Sequence, residues 1–274
     1  MNKKLILVIL GVFLTMSFIV IALKAKKSNV AVQTKEGKTV FTSAARLYNQ
    51  AKEAEAKGNL PEAKSLYQQL VTDFPNSVEV GNWQKKSDDL NIKLLFSATL
   101  TPKSIIYEIK PADTLTKIAR QFKTTVELLK KSNNINDYKI FPGRRIKVWT
   151  APFSMVVDKS QNILILKSEE EIIKTYVVST GINNCTPAGT FKIVNKLTNP
   201  TWFKAGAIVP SGSPENVLGT RWLGFDLVGY GIHGTSDPQS LGKQVTQGCV
   251  RMANSDVEEL YVIVPGGTEV TVVD

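Results

Sequence analysis

Thr246-Gln247-Gly248-Cys249-Val250-Arg251-Met252 sets a cysteine behind a glycine and two residues before an arginine. Sixteen residues upstream of that cysteine, Tyr230-Gly231-Ile232-His233-Gly234-Thr235 holds the only histidine of the chain. A free thiol ionises near pH ~8.5, so an imidazole able to take its proton raises its nucleophilicity at neutral pH. His233 can serve Cys249 only if folding joins them. Gly231, Gly234 and Gly248 permit close backbone approach and leave N–H groups free to face a developing oxyanion. Two plainer readings stay open from spacing alone. A lone histidine in a β-rich chain is often an ordinary hydrogen-bonded residue. Cys185 and Cys249 also make an even count, which an oxidising compartment can turn into a disulfide.

Outward from these two stretches, residues 154–158, 162–167, 172–178 and 189–194 are short alternating or apolar runs closely punctuated by turn residues. Helical periodicity is clear only over 256–261, and 268–273 reads as a last strand. Residues 152–274 are therefore expected to form a mainly β domain, a sandwich or barrel-like body, after a linker at 150–152. Before it, 105–109 is a short β-rich run, and Asp113 or Thr114 can cap a helix over 115–122. A second helical run over 125–131 leads through Pro142-Gly143 to a strand over 145–149. The order strand, helix, helix, strand describes a small α+β module over 105–149.

Further upstream, Ala44, Leu47, Tyr48, Ala51 and Ala54, then Ala63, Leu66, Tyr67 and Leu70, recur at helical spacing on either side of Gly58-Asn59-Leu60-Pro61. Gly58 can close one helix and Pro61 can open the next, giving an antiparallel helical hairpin with a third helix within 77–96. The spacing resembles one tetratricopeptide repeat, so residues 40–98 are expected to act as a spacer or as a docking segment for a protein partner. Residues 5–23 carry no charge and, as a helix rising about 1.5 Å per residue, are long enough to span a bilayer. Lys24 stands where a signal peptidase needs small residues, which favours an uncleaved anchor over residues 1–27. Lysines flank both ends of that stretch, so charge alone leaves its orientation open.

The chain has 274 residues and a formal charge of +10. The excess lies in the first 27 residues and in 105–149, whereas residues 151–274 hold nine bases against twelve acids. A nucleic-acid partner is excluded, since the main domain lacks a basic stripe. One histidine and two cysteines make no metal set, and no cofactor is implied.

Over 107–148, Asp113-Thr114-Leu115, Ile118-Ala119, Phe122, Leu128, Asn133, Ile140, Gly143 and Ile146 fall in register with a LysM module. Ala112 stands where that family usually has glycine. The resemblance implies binding of N-acetylglucosamine-containing glycans by the strand-to-helix and helix-to-strand loops, with Asp113, Thr114, Leu115, Asn133 and Ile135 as candidates. His233-Gly234-Thr235 with Thr246-Gln247-Gly248-Cys249-Val250-Arg251-Met252 resembles the signature of the YkuD-type L,D-transpeptidases. Ser179-Thr180-Gly181, Thr186-Pro187-Ala188-Gly189-Thr190-Phe191 and Asn199-Pro200-Thr201-Trp202 add supporting words across 152–274.

This second resemblance implies Cys249 as nucleophile, His233 as base and later acid, and the Gly234 carbonyl as the group orienting the imidazole. It also implies Arg251 as a substrate-binding residue and the backbone around Gln247, Gly248 and Cys249 as an oxyanion site. Many members have a second histidine at the position of Gln247, whose amide donates hydrogen bonds but does not titrate near neutrality. The expected substrates are peptidoglycan stem peptides and glycan strands. The thiolate would attack the third residue of a stem tetrapeptide, expel D-alanine and pass the acyl group to an amine. Such a substrate requires a single-pass protein at the cell membrane with its catalytic domain outside the cytoplasm. Three other readings remain: an L,D-carboxypeptidase, a wall-binding scaffold without activity, and a cysteine peptidase acting on proteins.

Overall fold

A computed structural model describes residues 35–204 and 206–274. The stretch 5–23 expected to anchor the chain lies outside these residues. Among the described residues no helix is long and apolar enough to cross a membrane. The described residues divide into two compact units, one ending at Leu94 and the other spanning Leu95–Asp274.

The first unit is helical: α1 (Lys35–Ala56), α2 (Leu60–Asp73) and α3 (Val80–Leu95). Gly58 takes φ +74° between α1 and α2, a left-handed conformation that glycine adopts without steric cost. A proline sits in the first turn of α2, where its missing N–H breaks no helical bond. Ala51 and Ala63, both fully buried, let the two helices approach closely over Tyr67 and Leu70, and Trp83 and Leu90 of α3 join the same core.

The second unit begins with a small module: β1 (Ser104–Glu108), α4 (Leu115–Gln121), α5 (Val126–Ser132) and β2 (Arg145–Trp149). The strands pair antiparallel, from Ser104 opposite Trp149 to Glu108 opposite Arg145. Thr114 and Thr125 cap the two helices, each hydroxyl accepting the backbone N–H three residues on, from Lys117 and Leu128. Leu115, Ile118, Leu129, Ile135, Ile146 and Val148 make its core. Ala112 takes φ +65°, so the alanine adopts the left-handed turn for which glycine is suited.

The rest is mainly β. β3 (Phe153–Asp158), β4 (Ile163–Ser168), β5 (Glu171–Gly181), β6 (Gly189–Thr198), β9 (Arg221–Phe225), β10 (Gly231–His233), β12 (Val250–Met252) and β13 (Glu269–Val273) form one sheet. β7 (Trp202–Lys204) and β8 (Ala207–Val209) form a separate hairpin, and β11 (Gln244–Thr246) flanks the sheet beside β5. The order β5-β12-β10-β9-β6-β13-β3-β4 returns to its start, because β4 also pairs with β5, so the sheet closes into a barrel. The seam is the eleven-residue β5. Its first part pairs with β4, Val178 and Ser179 pair with β12, and Thr180 and Gly181 pair with β11. This partner change explains why β5 outruns the alternating pattern at 172–178: Val178, Ser179 and Thr180 are all buried, so alternation vanishes at its end. α6 (Asn254–Ile263) follows β12 and buries Val257, Leu260 and Ile263.

The segment 150–152, expected to be a linker, is tied down instead. Thr150 N donates to Lys103 O at 3.0 Å, and Trp149 stacks on Phe153 with centroids 5.8 Å apart. The Thr125 hydroxyl donates to the Val262 carbonyl at the end of α6. Lys103 forms an ion pair with Glu171 at 3.0 Å.

Candidate active site

β10 and β12 run parallel with His233 opposite Arg251, so both side chains leave the same face of the sheet. Trp222 of β9 faces His233 across the antiparallel pair, and Ser179 of β5 faces Arg251. Cys249 stands at the last position before β12, at the mouth of this row.

His233 is buried, and its Nδ1 lies 2.7 Å from the Gly234 carbonyl oxygen. A carbonyl only accepts, so Nδ1 carries the proton and Nε2 keeps a lone pair. Burial lowers its pKa to about 4; the Gly234 bond opposes this and the nearby Arg251 cation adds to it. The imidazole is thus neutral throughout the physiological range. The indole of Trp222 stacks along it, with centroids 6.0 Å apart and planes inclined by 16°.

Cys249 is half-buried and not in a disulfide, and its Sγ–H points to the Gly229 carbonyl at 3.4 Å. Burial raises its pKa, and the Gly231 backbone bond and Arg251 only partly counter that. Burial therefore favours the neutral form of both groups at rest. Cys185 is also unpaired and exposed, with its sulfur 3.9 Å from the Thr246 carbonyl.

The turn before Cys249 is locked by Thr246, whose hydroxyl donates to Cys249 O at 2.6 Å and accepts from Gly248 N at 3.2 Å. A Cβ at Gly248 would come within 2.7 Å of the Tyr230 ring, and its φ is +119°, so only glycine fits. The Gly248 N–H is therefore engaged within the turn rather than bare. Gln247 is exposed. Arg251 Nη1 donates to Ser240 Oγ at 2.9 Å, and Ser240 is fixed by Ser179 Oγ donating to its carbonyl at 2.7 Å. Arg251 Nε is buried without a hydrogen-bond partner.

In the small module, the side chains of the five quoted candidates are taken up by the module itself, two in its core and three in hydrogen bonds. Leu115 and Ile135 are core residues. The Thr114 hydroxyl is the helix cap. The Asp113 carboxylate accepts from Tyr107 Oη at 2.8 Å and Lys110 N at 2.9 Å, bonds that lower its pKa. Asn133 bonds both backbone groups of Lys147, donating to its carbonyl at 2.8 Å and accepting its N–H at 2.7 Å. What these residues offer a ligand is mainly backbone. Beside them lies a groove of about 420 Å³ lined by Glu127, Lys130, Asn134, Asn136 and the exposed Tyr138. Lys130 Nζ stands 4.2 Å from the Tyr138 ring centroid.

Trp222 and Ser240 carry no motif in the sequence, and Thr246 stands there only as part of the cysteine motif, without a role. Trp222 was within reach, because Gly229 in the short segment 226–230 marks a hairpin turn, and a register through that turn puts Trp222 opposite His233. Ser240 gave no signal. Among the described residues no cluster of three or more potential metal ligands occurs.

A cysteine, a neutral imidazole with one free lone pair and a guanidinium at one end of a closed barrel define a thiol-dependent enzyme. The family model of the YkuD L,D-transpeptidase catalytic domain matches residues 152–272, and that of the LysM domain matches residues 107–149. The L,D-transpeptidase YkuD of Bacillus licheniformis is 37% identical over 176 residues, covering 61% of this chain and 98% of the relative. Its Bacillus subtilis counterpart is 35% identical over 175 residues, with the same coverage of 61% and 98%. The L,D-transpeptidase YqjB of Bacillus subtilis is 40% identical over 126 residues, covering 44% of this chain and 70% of the relative. The chain belongs to the YkuD-type L,D-transpeptidases, cysteine-dependent enzymes, and carries a LysM domain ahead of its catalytic domain.

Proposed function

We propose that the protein acts on peptidoglycan, with Cys249 as nucleophile and His233 as general base and acid. The observation that carries this reading is the tautomer of His233. Its Nδ1 proton is committed to Gly234 O, so Nε2 is the ring atom able to accept a proton from the thiol. With the imidazole neutral, His233 is in the form that accepts the thiol proton.

In the first half-reaction the Cys249 sulfur bonds to the carbonyl carbon of the third residue of a stem tetrapeptide, and the thiol proton passes to His233 Nε2. The tetrahedral oxyanion is met by the backbone N–H groups that flank Gly248 in the 247–249 turn, whose own N–H is held by the Thr246 hydroxyl. Collapse breaks the bond to the terminal D-alanine, whose amine leaves with the proton from His233. A thioester remains. An amine of a neighbouring stem then gives its proton to His233, attacks the thioester and expels the thiol, closing a 3-to-3 cross-link. Arg251, its guanidinium fixed by Ser240, binds a substrate oxygen. Gln247 contributes hydrogen bonding without titrating.

In this reading the glycan is taken by the LysM loops around Asp113, Thr114 and Leu115 and around Asn133 and Ile135, the second of which borders the groove beside Tyr138. Residues 1–27 anchor the chain in the cytoplasmic membrane and residues 40–98 form a tetratricopeptide-like spacer or protein-docking segment. The domain limits 105–149 and 152–274 complete a single-pass protein whose enzyme faces the wall.

Incubation of the full-length protein with a disaccharide-tetrapeptide, followed by mass analysis, tests the chemistry. Release of D-alanine with a cross-linked dimer is expected, and trimmed monomer alone would instead make it an L,D-carboxypeptidase. Exposure to a carbapenem should leave a covalent adduct on Cys249 that is absent in Cys249→Ala. An adduct on Cys185, or none, would overturn the assignment.

A further inference from the structure

Asn254 opens α6 directly after β12, and a polar residue there reads as a helix cap. It is not one. The cap position is Ala253, and no side-chain cap bond is formed. The Asn254 amide reaches instead to the histidine loop. Its Oδ1 accepts from Thr235 N at 3.0 Å and Thr220 N at 3.2 Å, and its Nδ2 donates to Thr235 O at 2.9 Å.

Thr235 N–H and the Gly234 carbonyl belong to one planar peptide unit. In a trans peptide the N–H and C=O point in opposite directions. Fixing the N–H on Asn254 therefore fixes where the carbonyl points, and it points at His233 Nδ1, 2.7 Å away. A hydrogen bond at the N–H also polarises the carbonyl of the same unit, making it a better acceptor. On its other side Gly234 N donates to Arg221 O at 3.2 Å, so the residue is held from both ends. The fit leaves no slack: a Cβ on Gly234 would lie 2.1 Å from Asn254 Oδ1, and one on Gly219 would lie 2.2 Å from it.

We propose that Asn254 is a positioning residue for the acyl-transfer reaction, setting the tautomer and ring orientation of His233 through the Gly234–Thr235 peptide. The inference rests on His233 being the base proposed above, but its primary test does not need turnover. Because the chain has a single histidine, 15N-histidine labelling of the full-length protein gives ring signals that need no assignment.

The wild type should show the Nδ1–H tautomer. Asn254→Ala should add a substantial Nε2–H population and slow carbapenem acylation of Cys249 by about tenfold or more. Asn254→Asp keeps both acceptor bonds and gives up only the donor to Thr235 O. It should retain the Nδ1–H tautomer, while its carboxylate stabilises the imidazolium and moves the His233 titration to higher pH.

A folded Asn254→Ala protein with wild-type tautomer ratio would overturn the proposal. Should that variant not fold, Asn254→Asp decides alone, and a His233 titration at the wild-type pH sinks it. A shifted imidazole in a protein that forms no carbapenem adduct would remove the assigned activity and leave the positioning role intact.

Discussion

The LysM module and the mouth of the barrel use polar side chains in opposite ways. In the module, Asp113, Thr114 and Asn133 bond to their own backbone or to Tyr107 and are occupied by the fold. At the barrel mouth, His233 Nε2 and Arg251 Nε stay uncommitted, while His233 Nδ1 and Arg251 Nη1 are fixed. Stability explains the first pattern and not the second, since a buried donor without a partner costs free energy that a simpler side chain would avoid. A site that pre-orients one atom and leaves another open has the form expected of chemistry. A site whose polar atoms are satisfied recognises ligands through shape, backbone and the few exposed side chains around it.

The contrast predicts that the barrel mouth is destabilising in a pH-dependent way. His233 titrates near 6.5 when exposed in the unfolded chain and at about 4 when buried in the fold. Above the unfolded value both states are neutral and stability is flat with respect to this group. As pH falls from about 6.5 to about 4 the unfolded chain takes up a proton that the folded protein refuses, so stability is lost, by up to about 3 kcal/mol. Denaturant unfolding of wild type and His233→Asn across this window should show that slope in the wild type and its disappearance in the variant. Equal slopes would mean that the imidazole is more hydrated than its burial implies.

A smaller effect is expected in the module. Asn133→Ala leaves both the N–H and the carbonyl of Lys147 without their Asn133 partners and should cost about 2 kcal/mol in unfolding free energy. Carbapenem acylation of Cys249 should be unaffected in the folded protein. Slowed acylation would break the comparison, by showing that the ties through Thr125 and Trp149 carry the module's state into the barrel.

Residues close in sequence made their arrangement legible; residues joined only by folding did not. His233 and Gly234 are neighbours, and Thr246 to Arg251 form one turn and strand, so the family's words fall on contiguous text. The β-rich character of 152–274 and the helix runs of 115–122 and 125–131 were readable from periodicity. Barrel closure was not, because nothing in β4 or β5 says which of several alternating strands each will choose, and β5 changes partner along its length. Asn254 was hidden differently, since its position advertises a helix cap and its side chain turns to the loop that follows β10 instead.

Ala112 marks the limit of the comparison, for it is strained where nothing reactive stands. Its φ of +65° puts its Cβ in the left-handed region, at a cost of about 1 kcal/mol relative to glycine. The turn is nevertheless fixed, because the Asp113 carboxylate accepts the Lys110 N–H across it and Lys117 Nζ donates to the Ala112 carbonyl at 2.8 Å. Ala112→Gly removes the strain but also loosens the unfolded chain, which offsets the gain by roughly 0.5 kcal/mol. A net stabilisation of about 0.5 kcal/mol is therefore expected, read as a small rise in the unfolding midpoint. If glycine instead weakens retention of the full-length protein on isolated sacculi at unchanged stability, the strained turn is part of the glycan groove. The module would then hold a pre-set conformation for its ligand, as the barrel does for its substrate.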